Sequence, residues 1–518
     1  MFRMAPTRLL LAITIQFLLA QHAIRGADWP MLGRDGTRNG VSSEVGGPTA
    51  WCVEEREGDR LLRGPHGIRW SAPLGSMTFS SPVVSDGLVW IGTNNQRPGV
   101  RSGEGQYSVL ECFRAADGKQ AYEYVSPKLP ERTQDAGWYG LGSSPLVEGD
   151  RLWVTTNRCE VLCLDIGPLI RGAGTPRELW KLDMLKKFDI NLHFPIMGPP
   201  RPCSIGPSWN GRIFVTLGNG VSGDYAMVPK PAAPSLVCLN KDTGDVIWKD
   251  NSPGMNILLT QLADPSIVKI RNEFQVIVPQ SDGWIRGFNP DSGEKLWEFD
   301  INAKVASYKL GGRSDRNYLL GNAVVYEDRV YIASGRDMQQ GEGPGRLVCI
   351  DPTKRGDVSS ELAVDAAGRP LPRRRLQAVD PKQGEKAIPN PNSALVWEFA
   401  RSPDPFTDGM QRTCATVAIA KGLVIAVDLS GQVHCLNAKT GQPYWHHDML
   451  TAIVASPLIV DDKVYVGNED GVMSVFQLVA DPKCAEPLAT IPLGNPLCEP
   501  SLCQRYVVHR QSKYPICR

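Results

Sequence analysis

Ser456-Pro457-Leu458-Ile459-Val460 followed by Lys463-Val464-Tyr465-Val466-Gly467 reads as two short apolar strands about a turn, opened by a small residue and a proline. Ser81-Pro82-Val83-Val84 with Asp86-Gly87-Leu88-Val89-Trp90-Ile91-Gly92 repeats it. Starts of the same kind lie at Ser144-Pro145, Gly206-Pro207, Asp264-Pro265, Asn322-Ala323 and Cys414-Ala415, with a degraded copy at Glu499-Pro500. A second half completes the unit. Leu236-Val237-Cys238-Leu239-Asn240 is followed by Thr243-Gly244 and Trp248, Gly287-Phe288-Asn289 by Ser292-Gly293 and Trp297, and Cys435-Leu436-Asn437 by Thr440-Gly441 and Trp445. Each unit thus offers four short strands joined by turns, because glycine supplies the positive φ that tight hairpins demand.

Four strands per unit is one blade of a β-propeller, and a fixed repeat along a chain takes precedence over local readings of the fold. The expectation is all-β, an eight-bladed propeller forming a single domain over residues 28–518, with seven blades as the alternative because the Glu499 to Arg518 tail lacks the Gly turn. Trp70 precedes the first start, so the segment around Ile68-Arg69-Trp70 is expected to complete the last blade and close the ring. The aromatics at Trp70, Tyr122, Trp180, Trp248, Trp297, Trp397 and Trp445 are expected to pack between outer strands. Cys112, Cys163, Cys238, Cys349 and Cys435 share one repeat position, filled by Gly287 and Val475 elsewhere, which calls for a small buried residue and therefore free thiols. Among the other cysteines, Cys52, Cys203, Cys484, Cys498, Cys503 and Cys517 leave room for a disulfide, whose pairing is open. Lys354 to Ser393, rich in Pro and Arg, is expected as a mobile excursion between the third and fourth strands of the fifth blade, and Asn219 to Pro234 interrupts the third.

The 518 residues carry 56 Lys plus Arg against 55 Asp plus Glu, a net charge of +1, so no basic surface for nucleic acid is expected. Arg3 and Arg8, the apolar run Leu9 to Ala20 and a polar stretch to Ala27 read as a signal peptide over residues 1–27, its apolar run too short to span a bilayer. The mature chain is expected to be exported, periplasmic or extracellular, without a membrane span, and a monomer.

The chain resembles the PQQ-like β-propeller repeat proteins of the quinoprotein alcohol dehydrogenase-like superfamily, specifically a secreted bacterial branch. The resemblance rests on Asp28-Trp29-Pro30 with Asn39-Gly40-Val41-Ser42, on Gln280-Ser281-Asp282-Gly283-Trp284 with Asp291-Ser292-Gly293-Glu294-Lys295-Leu296-Trp297, and on His434-Cys435-Leu436-Asn437-Ala438-Lys439-Thr440-Gly441. It implies either a partner-binding propeller or a dehydrogenase with PQQ and calcium in a central funnel. The adjacent Cys-Cys pair typical of the dehydrogenases does not occur here, nor does Cys-x-x-Cys-His for covalent haem.

Histidine is scarce, and His434, His446 and His447 fall on repeat strands, so no metal site is expected. Connectors entering the innermost strands line a funnel mouth: Arg313-Ser314-Asp315-Arg316-Asn317-Tyr318 before the fifth start, Trp138-Tyr139-Gly140 before the second and Arg412 before the sixth. Arg313, Asp315, Arg412 and Trp138 are the ligand-binding candidates there, for an anionic ligand or a peptide, with ion pairing between blades as the plainer role for the charged three. A dehydrogenase needs a carboxylate base, for which Asp315 is the candidate, but no neighbouring acid set supplies a calcium shell. The sequence therefore points to an exported scaffold that binds a protein, peptide or polysaccharide of the cell envelope, with a PQQ- and calcium-dependent alcohol or sugar dehydrogenase as the alternative.

Overall fold

The computed structural model describes residues 27–57, 60–76, 78–96, 107–129, 140–192, 203–310, 314–336, 343–400 and 409–493, together with two short strands at 502–503 and 506–507. Seven sheets of four or five strands follow one another along these residues. Their first and last repeat strands are Val83–Ser85 and Gln120–Pro127, Leu146–Glu148 and Arg177–Asp183, Cys203–Trp209 and Val246–Asp250, Ser266–Ile270 and Lys295–Asp300, Val324–Tyr326 and Leu395–Ala400, Ala418–Ala420 and Pro443–Asp448, and Leu458–Val460 and Ala489–Pro492. Within each sheet the four repeat strands pair antiparallel in chain order, as the alternating patterns demand. Glu499-Pro500 lies outside the described residues, and Ile68-Arg69-Trp70 forms no strand. Trp29 packs both into the apolar cluster of the seventh sheet and into that of the first. Residues 1–26 of the expected leader, 1–27, are likewise outside the described residues.

Two joints repeat between neighbouring sheets. At the inner joint, the residue ahead of the first strand donates its N–H to the side chain of its counterpart: Ser81 to Ser144 Oγ (2.8 Å), Asp264 to Asn322 Oδ1 (2.8 Å), Asn322 to Thr416 Oγ1 (2.9 Å) and Thr416 to Ser456 Oγ (3.0 Å). At these four joints the residue ahead of the first strand is therefore a polar link. This corrects the sixth start, because Thr416-Val417 rather than Cys414-Ala415 stands immediately ahead of Ala418–Ala420 and makes the link.

At the outer joint, an indole N–H of one sheet reaches a carbonyl in the third-to-fourth turn of the next. Trp180 donates to Lys241 (3.2 Å), Trp248 to Pro290 (3.0 Å), Trp397 to Ala438 (2.9 Å) and Trp445 to Val479 (2.8 Å). Trp70 makes the same bond to Ala115 of the first sheet (3.0 Å). The rings lie so flat on Gly118, Gly244, Gly293 and Gly441 that a Cβ there would sit 2.5–2.7 Å from the indole.

The cysteines fall where the repeat put them. Cys112, Cys163, Cys238, Cys349 and Cys435 stand opposite Tyr122, Trp180, Trp248, Trp397 and Trp445, and all five are buried and free. Gly287 stands opposite Trp297, whose indole turns inward and donates to Gln275 Oε1 (2.8 Å).

The Lys354 to Ser393 insertion leaves the fifth sheet between its third and fourth strands, as expected, but it is tied down rather than loose. Gly356–Asp357 adds a parallel strand to Lys295–Asp300 of the fourth sheet, and Glu361–Val364 pairs with Lys386–Pro389 as a hairpin. Arg375 then donates to the carbonyls of Ile257 (2.7 Å), Ala226 (2.8 Å) and Tyr225 (2.9 Å), reaching the other insertion. Its charged residues find partners that composition alone does not reveal.

Candidate functional site

Because strands alternate in direction, the turns joining second to third strands and the connectors from fourth strand to next first strand emerge at one end of every sheet. The same turn closes four of the sheets there, through N–H to carbonyl bonds from Thr156 to Glu160 (2.9 Å), Gln280 to Trp284 (2.8 Å), Asp428 to Gln432 (3.1 Å) and Asn468 to Val472 (3.0 Å). Six residues beyond two of these positions a side chain reaches back, Arg286 to Gln280 Oε1 (2.6 Å) and His434 Nε2 to Asp428 Oδ2 (3.1 Å). His434 is thus held inside the sheet stack by a buried carboxylate.

The fourth sheet concentrates charge. Arg286, fully buried, grips Asp282 through both Nη1 (3.0 Å) and Nη2 (2.7 Å) and turns its Nε to Glu298 (3.2 Å). Glu298 also receives Lys295 Nζ (2.9 Å) and Arg373 of the insertion. Burial pushes the Glu298 carboxyl up, but its three cations overcome this and hold it down at about 2. Arg373 also lies over the Trp284 ring, 3.9 Å from its centroid, with Lys304 Nζ at 4.4 Å.

The connector leaving this sheet packs further cations inward. Asp300 Oδ2 receives Lys304 Nζ (3.0 Å) and the Arg316 guanidinium (3.5 Å), all three side chains almost wholly buried. Burial would raise the Asp300 carboxyl, yet Arg316 and Lys304 hold it below the usual carboxylate range. Asn317 N–H donates to Asn302 Oδ1 (2.7 Å), and Asn302 returns its amide to the Asn317 carbonyl (2.9 Å). Arg336 donates to the carbonyls of Lys309 (2.9 Å) and Arg316 (2.6 Å) and stacks 4.6 Å from the Tyr308 ring centroid.

Of the residues singled out from sequence, Arg412 and Asp315 come to this cluster. Arg412 is fully buried, donating Nε to Asn317 Oδ1 (3.1 Å) and Nη2 to the Ser314 carbonyl. Burial, with the nearby Arg336 charge, pulls its guanidinium down to about 10. Asp315 is exposed, and its Oδ1 accepts the Ser307 N–H (2.8 Å). Arg313 and Trp138 lie outside the described residues. Lys304, Arg316 and Arg336 were not singled out as candidates. Of these only Arg316 was signalled, as a member of the Arg313–Tyr318 stretch.

The carboxylates of this cluster do not fit a calcium-bound quinone: Asp300 is occupied by an ammonium and a guanidinium, and Asp282 and Glu298 by Arg286. Among the described residues no three His, Cys, Asp or Glu side chains gather as a metal site, and no helix is long and apolar enough to cross a membrane.

Residues 172–369 and 372–480 match a family model, PQQ_2, described as outer membrane protein assembly factor BamB. The chain belongs to the PQQ_2 family. This PQQ_2 chain is 22% identical over 349 residues to an outer membrane protein assembly factor BamB of Shewanella oneidensis, covering 58% of the chain and 77% of that protein. It is 28% identical over 169 residues to the quinoprotein alcohol dehydrogenase PedH of Pseudomonas putida, covering 30% of the chain but 22% of the dehydrogenase. Among solved structures, a europium-containing methanol dehydrogenase superposes with a TM-score of 0.53 at 11% identity, over 93% of the chain and 88% of that enzyme. That likeness is one of fold. It agrees with the β-propeller that the four-stranded repeats of this PQQ_2 chain imply.

Proposed function

We propose that the protein is an exported propeller scaffold whose loop-bearing end binds a protein, peptide or polysaccharide of the cell envelope. The observation that carries this reading is the surface built there by the two insertions and two connectors. Met227, Met255, Val305, Leu310 and Leu376 are all exposed on segments that are laced together, Arg375 bonding the 225–226 and 257 carbonyls and Tyr308 donating to the Leu376 carbonyl (2.7 Å). Large apolar side chains grouped outside a core mark interaction surfaces, and these favour a polypeptide partner. The buried charges beneath support the same reading, since they are engaged in holding the loops. Similarity to an assembly factor over more of the chain than to the dehydrogenase points the same way.

The test compares the purified protein with a Met255→Asp, Leu376→Asp double variant in capture from solubilised envelope. The expected result is a saturable partner lost about tenfold in the variant at unchanged melting temperature. A saturable, calcium-dependent thermal shift on titration with PQQ, together with alcohol oxidation, would instead establish the dehydrogenase reading.

A further inference from the structure

Among the four repeat strands of its own sheet, each first strand has a hydrogen-bonded neighbour on one side only. Its other edge therefore presents N–H and C=O groups that need partners. Residues 29–42 meet that edge in all seven sheets. Trp29 exchanges both main-chain bonds with Val84 of the first sheet (2.7 and 3.0 Å), and the Pro30 carbonyl accepts Val147 N–H of the second (2.9 Å). Arg38, only 1% exposed, donates Nη2 to the Ile205 carbonyl of the third sheet (3.1 Å) and Nε to the Pro265 carbonyl ahead of the fourth (2.9 Å). The Gly36 carbonyl accepts Ile267 N–H (2.9 Å) and the Thr37 carbonyl accepts Val325 N–H of the fifth sheet (3.1 Å).

The last two sheets are met as closely. Asn39 uses its side-chain amide as a strand would use its main chain, donating to the Ile419 carbonyl (2.7 Å) and accepting Ile419 N–H (2.9 Å). The Gly40 carbonyl accepts Ile459 N–H (2.8 Å), and Val41–Ser42 then pairs parallel with Leu458–Val460. The fit leaves no room at Gly36, where a Cβ would collide with the Ile267 carbonyl oxygen. Within the segment, the Arg38 Nη1 bond to the Leu32 carbonyl (2.7 Å) folds the chain back on itself.

We infer that residues 29–42 form an axial pin, a peptide ligand carried in cis that makes the seven inner strands open and close together. The pin crosses the axis at the level of the inner strands, so a partner at the loop-bearing end docks onto the propeller and does not thread through it. Sheets far apart in sequence share one segment as a hydrogen-bonding partner, and that is what couples them.

Native-state hydrogen exchange on the full-length protein tests this. In the wild type with rising denaturant, the amides of Val147, Ile267, Val325, Ile419 and Ile459 are expected to merge onto one opening transition. In Asn39→Ala, which removes only the Ile419 pair, all five are expected to exchange about tenfold faster together, while Arg34→Ala, whose guanidinium bonds its neighbour Asp35 (2.9 Å), leaves them unchanged. Five separate transitions in the wild type, or acceleration confined to Ile419 in the variant, would overturn the pin. Partner capture does not enter this test, so its outcome is independent of the proposed function.

Discussion

Gly287 shows how far one side chain's rotamer reaches into the repeat. Cysteine holds the equivalent place in five sheets, so restoring it looks harmless, but the inward turn of Trp297 fills the space a Cβ would need. Gly287→Cys is expected to destabilise the protein by about 1–3 kcal/mol in urea unfolding, the cost of overpacking. The cysteines themselves are inert for a related reason: burial pushes the thiols of Cys163, Cys238, Cys349 and Cys435 up to about 12. Alkylation at pH 8 followed by mass spectrometry should label half-buried Cys414 and Cys484 before any of these four, which react only as the protein unfolds. Glu298 gives the acid limb of stability. Its folded carboxyl sits at about 2 against 4.5 in the open chain, so its contribution is complete above pH 4.5 and is lost as pH falls towards 2. Glu298→Gln should therefore cost most near neutrality, about 3 kcal/mol, with the difference from wild type shrinking through that window in denaturation series.

At the scale of elements, the insertion in the fifth sheet was read as loose because its composition buries little, and that inference fails on arginine. A guanidinium needs no apolar core to fix a segment when three carbonyls converge on it, and those of Tyr225, Ala226 and Ile257 are brought to Arg375 by a different sheet. No local pattern can announce a partner more than a hundred residues away. Arg375→Ala should leave global stability nearly unchanged and open 354–393 to limited proteolysis, whereas the wild type resists it. The joints were more legible. The recurring Thr-Gly turn and following tryptophan declared both halves of the outer joint, because each half is local. The polar role of the linking residues Ser81, Asp264, Asn322 and Thr416 was hidden, since the acceptor lies in the next sheet. Asn39-Gly40-Val41-Ser42 was visible as a motif but not as an axial contact, as nothing periodic marks it.

For the molecule as a whole, Trp70 stands outside every strand and yet makes the joint that the fourth-strand tryptophans make. Its place before the first repeat was readable from spacing. That no strand forms around it was not. Trp70→Ala and Trp248→Ala are expected to cost similar amounts, about 3–5 kcal/mol each in chemical denaturation, because both empty the same kind of ledge. A much smaller loss at Trp70 would mean that the first sheet does not depend on the segment before it.

The directional joint also bears on how such a chain can grow. The third and sixth sheets each carry a reaching indole, Trp248 or Trp445, at one side and a glycine ledge, Gly244 or Gly441, at the other, so a tandem duplication of either repeat inherits both halves and meets its neighbours without new residues. The axis is less permissive. Residues 29–42 offer one set of partners to each of seven inner edges, and a duplicated repeat would arrive with an edge that nothing awaits. An added repeat would therefore call for a matching change in residues 29–42, whatever the seams between repeats allow.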